Sequence, residues 1–240
     1  MARFILIALG LFVYINVGYF GSEKVRANAL DTAMVYNTAI KIKTKDMYDY
    51  ALETDQGTII TGGYFTTEDG IKSHDFDGEY IGITKHTEEY RRHTRTVSDG
   101  KGGSKQEVYY QWDHIRSERT MTDYVIFFGK KYSTKKFNFF DTRSIDGYFR
   151  GGPNIRYSYD VIDRAFIASF IAKVQNNDIM PEFKGGYIDL KKDTVDKLAG
   201  YGDTVVGDSI IQFWFVYTLI CLFITIVGFM INRYLKENRI

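Results

Sequence analysis

The chain has 240 residues, with 31 Lys and Arg against 30 Asp and Glu, and this near-balance gives no electrostatic reason to expect a nucleic-acid partner. A single cysteine, Cys221, excludes an internal disulfide framework and a thiolate metal cluster. With 19 Tyr and 18 Phe against 2 Pro the composition favours strands, and the long apolar runs are confined to the two ends.

The first run, residues 4–20, holds 17 residues behind Arg3. It reads as an uncleaved signal anchor within a transmembrane segment 1–22, with residues 22–33 continuing the helix. A cleavage site at Ala27-Asn28-Ala29 is the competing reading, but Glu23, Lys24 and Arg26 separate it from the apolar core. Residues 23–208 are then expected to form one domain, large enough for its own core.

Residues 34–45 alternate as a half-buried strand. Residues 47–53 and 58–65 flank Asp55-Gln56-Gly57 and read as a hairpin with Gly57 at positive φ. Polar residues 66–77 read as a loop. The clearest element spans residues 79–119, where two alternating segments enclose SDGKGGS at 98–104, the pattern of a long two-stranded ribbon. Strands are also expected at 124–128 and 136–140 around a 129–133 turn, at 154–162, and at 164–174 before an Asn176-Asn177-Asp178 turn. Residues 141–152 read as a loop, and 190–198 as the one short helix of the domain.

The second run, 210–231, has 22 residues and no Asp, Glu, Lys or Arg. As a helix it is about 33 Å long, enough to cross a bilayer's hydrocarbon core. With its margins it gives a transmembrane segment 209–232 and a basic tail 233–240 carrying Arg233, Lys236 and Arg239. The basic residues beside this span place the tail in the cytoplasm. Two spans then put both termini inside and the central domain outside the cell membrane. The expected fold is mainly β, α+β overall, with an antiparallel ectodomain and a protruding hairpin between two transmembrane helices.

Candidate chemistry concentrates on the ribbon. Arg91, Arg92, His93, Arg95, Tyr109, Trp112 and His114 form the expected interaction surface. A turn near Gly102 places His114 opposite Glu89 and His93 opposite Tyr110, so two histidines and a carboxylate on neighbouring rungs form a weak metal motif. The arginines beside them disfavour a cation, and no metal or cofactor is expected. Arg91, Arg92, Arg95, Lys101 and Lys105 suit anionic headgroups or acidic envelope polymers. The aromatics at 137, 139, 140, 148 and 149 read as core.

The ribbon EEYRRHTRTVSDGKGGSKQEVYYQWDHIRSE, then YVIFFGKKYSTKKF and NIRYSYDVI, resembles phage and bacterial two-span membrane proteins with a β-rich domain between the spans. The resemblance covers about half the chain and implies architecture without an activity. More faintly, the layout is similar to that of membrane-bound ubiquitin ligases, although the cysteines of their RING are missing here. A non-enzymatic binding or assembly module in the bilayer follows, with envelope modification or exclusion of superinfecting phage as one version and an envelope or membrane protein as partner. Two alternatives stand beside it. An envelope-polymer hydrolase would pair Asp75 or Asp77 with Glu79 or Asp160, and an accessory subunit would use its spans to join a membrane complex.

Overall fold

In the computed structural model, which describes residues 2–98, 103–183 and 185–237, the first element is one long helix, α1 (Ala2–Thr38). It continues past the expected anchor because Ser22, Ala29, Ala33 and Tyr36 are buried at helical spacing. The expected strand at 34–45 therefore shrinks to β1 (Ile40–Ile42). Next comes α2 (Lys45–Glu53), where a strand was expected. Thr44 caps it, accepting from the Met47 amide at 3.4 Å, and Tyr48, Ala51 and Leu52 bury one face at i, i+3 and i+4. These two local signals outweigh the alternation of residues 47–53.

After a turn with Asp55 at φ 48° and Gly57 at φ 81°, β2 (Thr58–Thr66) leads through a loop to the ribbon, β3 (Tyr80–Ser98) and β4 (Ser104–Met121). The centre of the expected 98–104 turn, residues 99–102, lies outside the described residues. Strands β5 (Tyr124–Phe127) and β6 (Lys130–Ser133) form a hairpin about Phe128 and Gly129, both at positive φ. That turn sits one residue earlier than the expected 129–133 loop, so the returning strand begins at Lys130. Residues 136–140, expected as that strand, supply only β7 (Phe137–Asn138).

The expected 141–152 loop is instead β8 (Arg143–Gly152), paired with β9 (Ile155–Asp163). Register shifts at Ile145/Phe149 and Arg150/Gly152 erase the period of two by which a strand is read. The expected 164–174 strand is β10 (Ala165–Gln175), which turns through Asn176 and Asn177, both at positive φ, into β11 (Asp178–Pro181). Finally come β12 (Ile188–Asp189), α3 (Val195–Ala199) and α4 (Tyr201–Glu237). The expected 190–198 helix is a single turn because Lys191 is held extended by a two-way backbone bridge to Ser169. Strand makes up 44% and helix 36%, so the mainly β reading holds for the middle and α+β for the whole.

Two compact units result: Met1–Ile40 with Asp196–Ile240, and Lys41–Val195. The β-unit is narrower than the expected 23–208 domain because helix occupies 23–38 and 201–208. Its main sheet runs β11-β10-β2-β5-β6 with β1 beside β2, and a second sheet runs β4-β3-β9-β8, all antiparallel where the register is defined. A small parallel pair joins β7 to β12. The main core gathers Phe65, Phe127, Phe137, Phe166 and Phe170 with Tyr48, Leu52 and Ile81. A lesser core lies under the loop after β2, where Phe76 packs on Tyr80, Phe149 and Tyr159.

In the helical unit α1 and α4 pack antiparallel, as the pairs Tyr14 with Thr218, Gly18 with Trp214, Gly21 with Phe213 and Tyr36 with Tyr201 show. A Cβ on Gly18 would meet the Trp214 ring at 2.5 Å and one on Gly21 the Phe213 ring at 2.5 Å, so glycine admits both rings. Among the described residues one helical stretch, Tyr201–Ile231, is long and apolar enough to cross a membrane, and none of its most apolar window is buried. Two such helices were expected. The first of them, expected at 1–22, falls partly on residues whose side chains lie outside those described. The tail from Arg233 to Glu237 is the helical end of α4.

Candidate functional site

Strand β9 accompanies β3 only as far as the Glu89–Ile155 rung, and the Tyr90 amide then donates to the Asn154 carbonyl at 2.9 Å. Beyond that point β3 has β4 alone for a neighbour. Directly opposed residues of an antiparallel pair share a face, so the register sorts the side chains of this overhang into two surfaces.

The first surface carries the rungs Glu88–His114, Tyr90–Trp112, Arg92–Tyr110 and Thr94–Val108. Tyr90 stacks on Tyr110 with centroids 5.5 Å apart and leans on Trp112 at 5.2 Å. Tyr90, Val108 and Tyr110 are nevertheless 41%, 44% and 54% exposed. On the same face, Arg156 of β9 places its guanidinium 4.3 Å from the Trp112 ring centre and 3.6 Å from that of Tyr148. Its Nε donates to Glu88 Oε2 at 2.6 Å. A cation stacked between two rings and held by a carboxylate is fixed in direction.

The second surface carries paired charges. Arg91 pairs with Glu89, Arg95 with Glu107 and His93 with Asp113, whose other oxygen accepts from Gln111. Those hydrogen bonds, from Gln111 first and then His93, hold the Asp113 carboxyl below the usual range despite some burial. Tyr109 stacks on His93 at 5.4 Å and lies under Arg95.

The expected interaction set is thus divided. Arg92, Trp112 and His114 lie on the aromatic face, and Arg91, His93, Arg95 and Tyr109 on the charged one. Expected register and observed register differ by one residue, since His114 opposes Glu88 and His93 opposes Tyr109. The Ser98–Ser104 rung at the turn sets this register, and the bulge between Thr87 and Glu88, with Ile115 as an extra residue on β4, restores the expected one only toward the base. A one-residue slip changes which side chains share a face, and it parts the two histidines of the metal motif. Among the described residues no three His, Cys, Asp or Glu side chains converge as a metal site. Tyr148, expected in the core, is instead 58% exposed on this face because β8 is the edge strand of its sheet, and Arg156 was missed because it meets Trp112 only through the pairing of β9 with β3.

Nearer the base of the aromatic face runs a polar relay. Ser144 donates to Asp160 Oδ1 at 2.5 Å, and Asp160 Oδ2 meets His86 Nε2 at 2.9 Å. The other His86 nitrogen meets Ser117 at 2.8 Å, and Ser117 meets His114 at 3.2 Å. Carboxylate, imidazole and hydroxyl stand in the order used for acyl transfer. Ser117, however, lies in mid-strand on an open face, and the cavities of about 400 and 340 Å³ beside Asp123 do not include it. Of the carboxylates expected for hydrolysis, Asp75 and Asp160 do not meet. Asp75 accepts from Tyr159, whose neighbour Asp160 faces the opposite side of β9, and Glu79 is held by Arg164 and Lys72.

Burial pushes the Asp160 carboxyl up, and the hydrogen bonds from Ser144 and His86 outweigh it, leaving the group below its ordinary range. A lowered folded-state pKa contributes stability that is complete above the unfolded value of about 3.9 and is lost as pH falls through the folded value. Denaturant titrations from about pH 5 to about pH 2 will therefore show a shallower acid loss in Asp160→Asn than in the natural chain. An equal slope would mean that the relay adds nothing to folding.

No family model, curated protein or solved structure matches this chain. The site's chemistry rests on its own geometry.

Proposed function

We propose that the protein is a membrane-anchored, non-enzymatic binding module that presents the aromatic face of the ribbon to a partner outside the cytoplasm. The observation that carries this is the contrast between the two faces. One pairs Arg91, His93 and Arg95 with carboxylates of its own, while the other leaves Tyr90, Val108 and Tyr110 exposed in one row beside a fixed Arg156. Exposed aromatics beside an arginine are the side chains that dominate binding energy at interfaces. Envelope modification, including exclusion of superinfecting phage, is one role for such a module.

Anchoring through both helices is supported by their antiparallel packing. The Tyr14–Thr218 and Gly18–Trp214 pairs set an offset that lays the first apolar run along the second. A short run gains from a neighbour of this kind. Both ends of the pair then lie on one side, which the basic residues after Ile231 identify as the cytoplasm.

Val108→Ser with Tyr110→Ser, both at exposed positions, tests the reading in the full chain purified from host membranes in mild detergent. Capture of a stoichiometric envelope partner should fall at least tenfold, the factor for about 1.4 kcal/mol of contact. Unchanged capture would overturn the reading. Loss only when the two spans are exchanged for unrelated ones would favour an accessory subunit.

A further inference from the structure

The aromatic face has a second property besides exposure. Its side chains are Tyr90, Tyr110, Trp112 and Val108, with Arg92 on the same row. Tyrosine and tryptophan combine an apolar ring with a polar edge, and such residues settle at the boundary between headgroups and acyl chains. Over residues 90–112 the sequence has five basic residues (Arg91, Arg92, Arg95, Lys101 and Lys105) against Asp99 and Glu107, an excess of three positive charges. Arg91 and Arg95 are paired on the charged face, whereas Arg92, on the aromatic face, has no acidic partner among the described residues. The overhang is therefore an amphipathic, cationic ribbon, the strand counterpart of an interfacial helix.

We infer that this face seats on an anionic lipid surface, with Tyr90, Tyr110, Trp112 and Val108 in the headgroup layer and Arg92 on lipid phosphates. The inference rests on the binding reading above and names its ligand. Three observations favour a bilayer over a protein: the aromatic row is open along one side, the ribbon's net charge is positive, and the chain passes from Val195 to Tyr201 of the membrane-crossing helix within six residues. A domain tethered so closely meets a bilayer at high effective concentration.

The chain has two tryptophans, so Trp214→Phe leaves Trp112 as the only one. Full-length Trp214→Phe in nanodiscs would be compared in phosphatidylcholine and in phosphatidylcholine with phosphatidylglycerol. Brominated lipid would be placed in the protein's own disc or in added vesicles. The expected result is a blue shift and quenching of Trp112 emission by brominated lipid in the anionic bilayers, suppressed by salt. Arg92→Gln should weaken the association about fivefold, the factor matching about 1 kcal/mol per basic residue near such a surface. Tyr90→Ser with Tyr110→Ser should abolish the quenching while circular dichroism shows the fold intact. Absence of quenching in every lipid, or equal quenching in neutral and anionic lipid, overturns the inference. If Trp112 stays unquenched while Val108→Ser with Tyr110→Ser still abolishes partner capture, the ligand is a protein and the binding reading stands. If capture too is unchanged, both readings fail.

Discussion

Phe65→Ala should lower the stability of the β-unit by about 3–5 kcal/mol, the largest loss expected from any single truncation in the chain. Phe65 is fully buried on β2, at a point where β2 meets two neighbours at once. It opposes Phe127 of β5 on one side and Phe166 of β10 on the other. The three rings form a cross-strand row with centroids 4.7 and 5.5 Å from Phe65, and Phe137 and Phe170 close over it at 5.4 and 6.0 Å. Each neighbour is itself tied to a strand, so the space left by alanine cannot collapse and the cavity term adds to the lost transfer energy. Denaturant unfolding of the full chain, followed by aromatic circular dichroism, measures the loss. A change below about 1 kcal/mol would mean that the core is centred elsewhere.

Several features of this fold are written locally, and those were legible. Strands β3 and β4 follow from alternation on both sides of a glycine-rich segment, and β10 and β11 from the Asn176-Asn177 turn. The apolar stretch 210–231 needs only length and composition. The misread elements share another cause, since each has a period that two structures can satisfy or none. Residues 47–53 alternate like a strand but lie behind a capping Thr44, and the cap decides. Strand β8 has no clean period because Asp146 and Gly147, the latter at φ 88°, sit within the first of its two register shifts. Residues 22–38 mix charge with small residues, and their helical stripe has meaning only once α4 is there to cover it.

The candidate site was legible as a place and not as a surface. Composition marked the ribbon, but which residues act together depends on a register, set at the Ser98–Ser104 rung, that differs by one residue from the one expected for a turn near Gly102. Tyr148 and Arg156 join the aromatic face across 36 and 44 residues of sequence from Trp112, a proximity that only the strand order β4-β3-β9-β8 creates. Alternation along β9, which turns Tyr159 and Asp160 to opposite sides, likewise parts Asp75 from Asp160, one of the carboxylate pairs expected for a hydrolase.

Tyr109 and Tyr110 give the most direct test, because they are neighbours on β4 and point to opposite faces. They have the same chemistry and nearly the same position along the ribbon, so only the face distinguishes them. A photo-crosslinking phenylalanine at each position in turn, in the full chain within living host cells, keeps an aromatic ring at the site. The proposed binding face is the one with exposed Tyr90, Val108 and Tyr110, so irradiation should yield adducts, to lipid or protein, from position 110. Position 109, which stacks on His93 beneath Arg95, should yield at least tenfold less, since a specific interface covers one face and leaves the other in water. Equal adducts from both positions, or adducts from 109 alone, would contradict the assignment of the aromatic face.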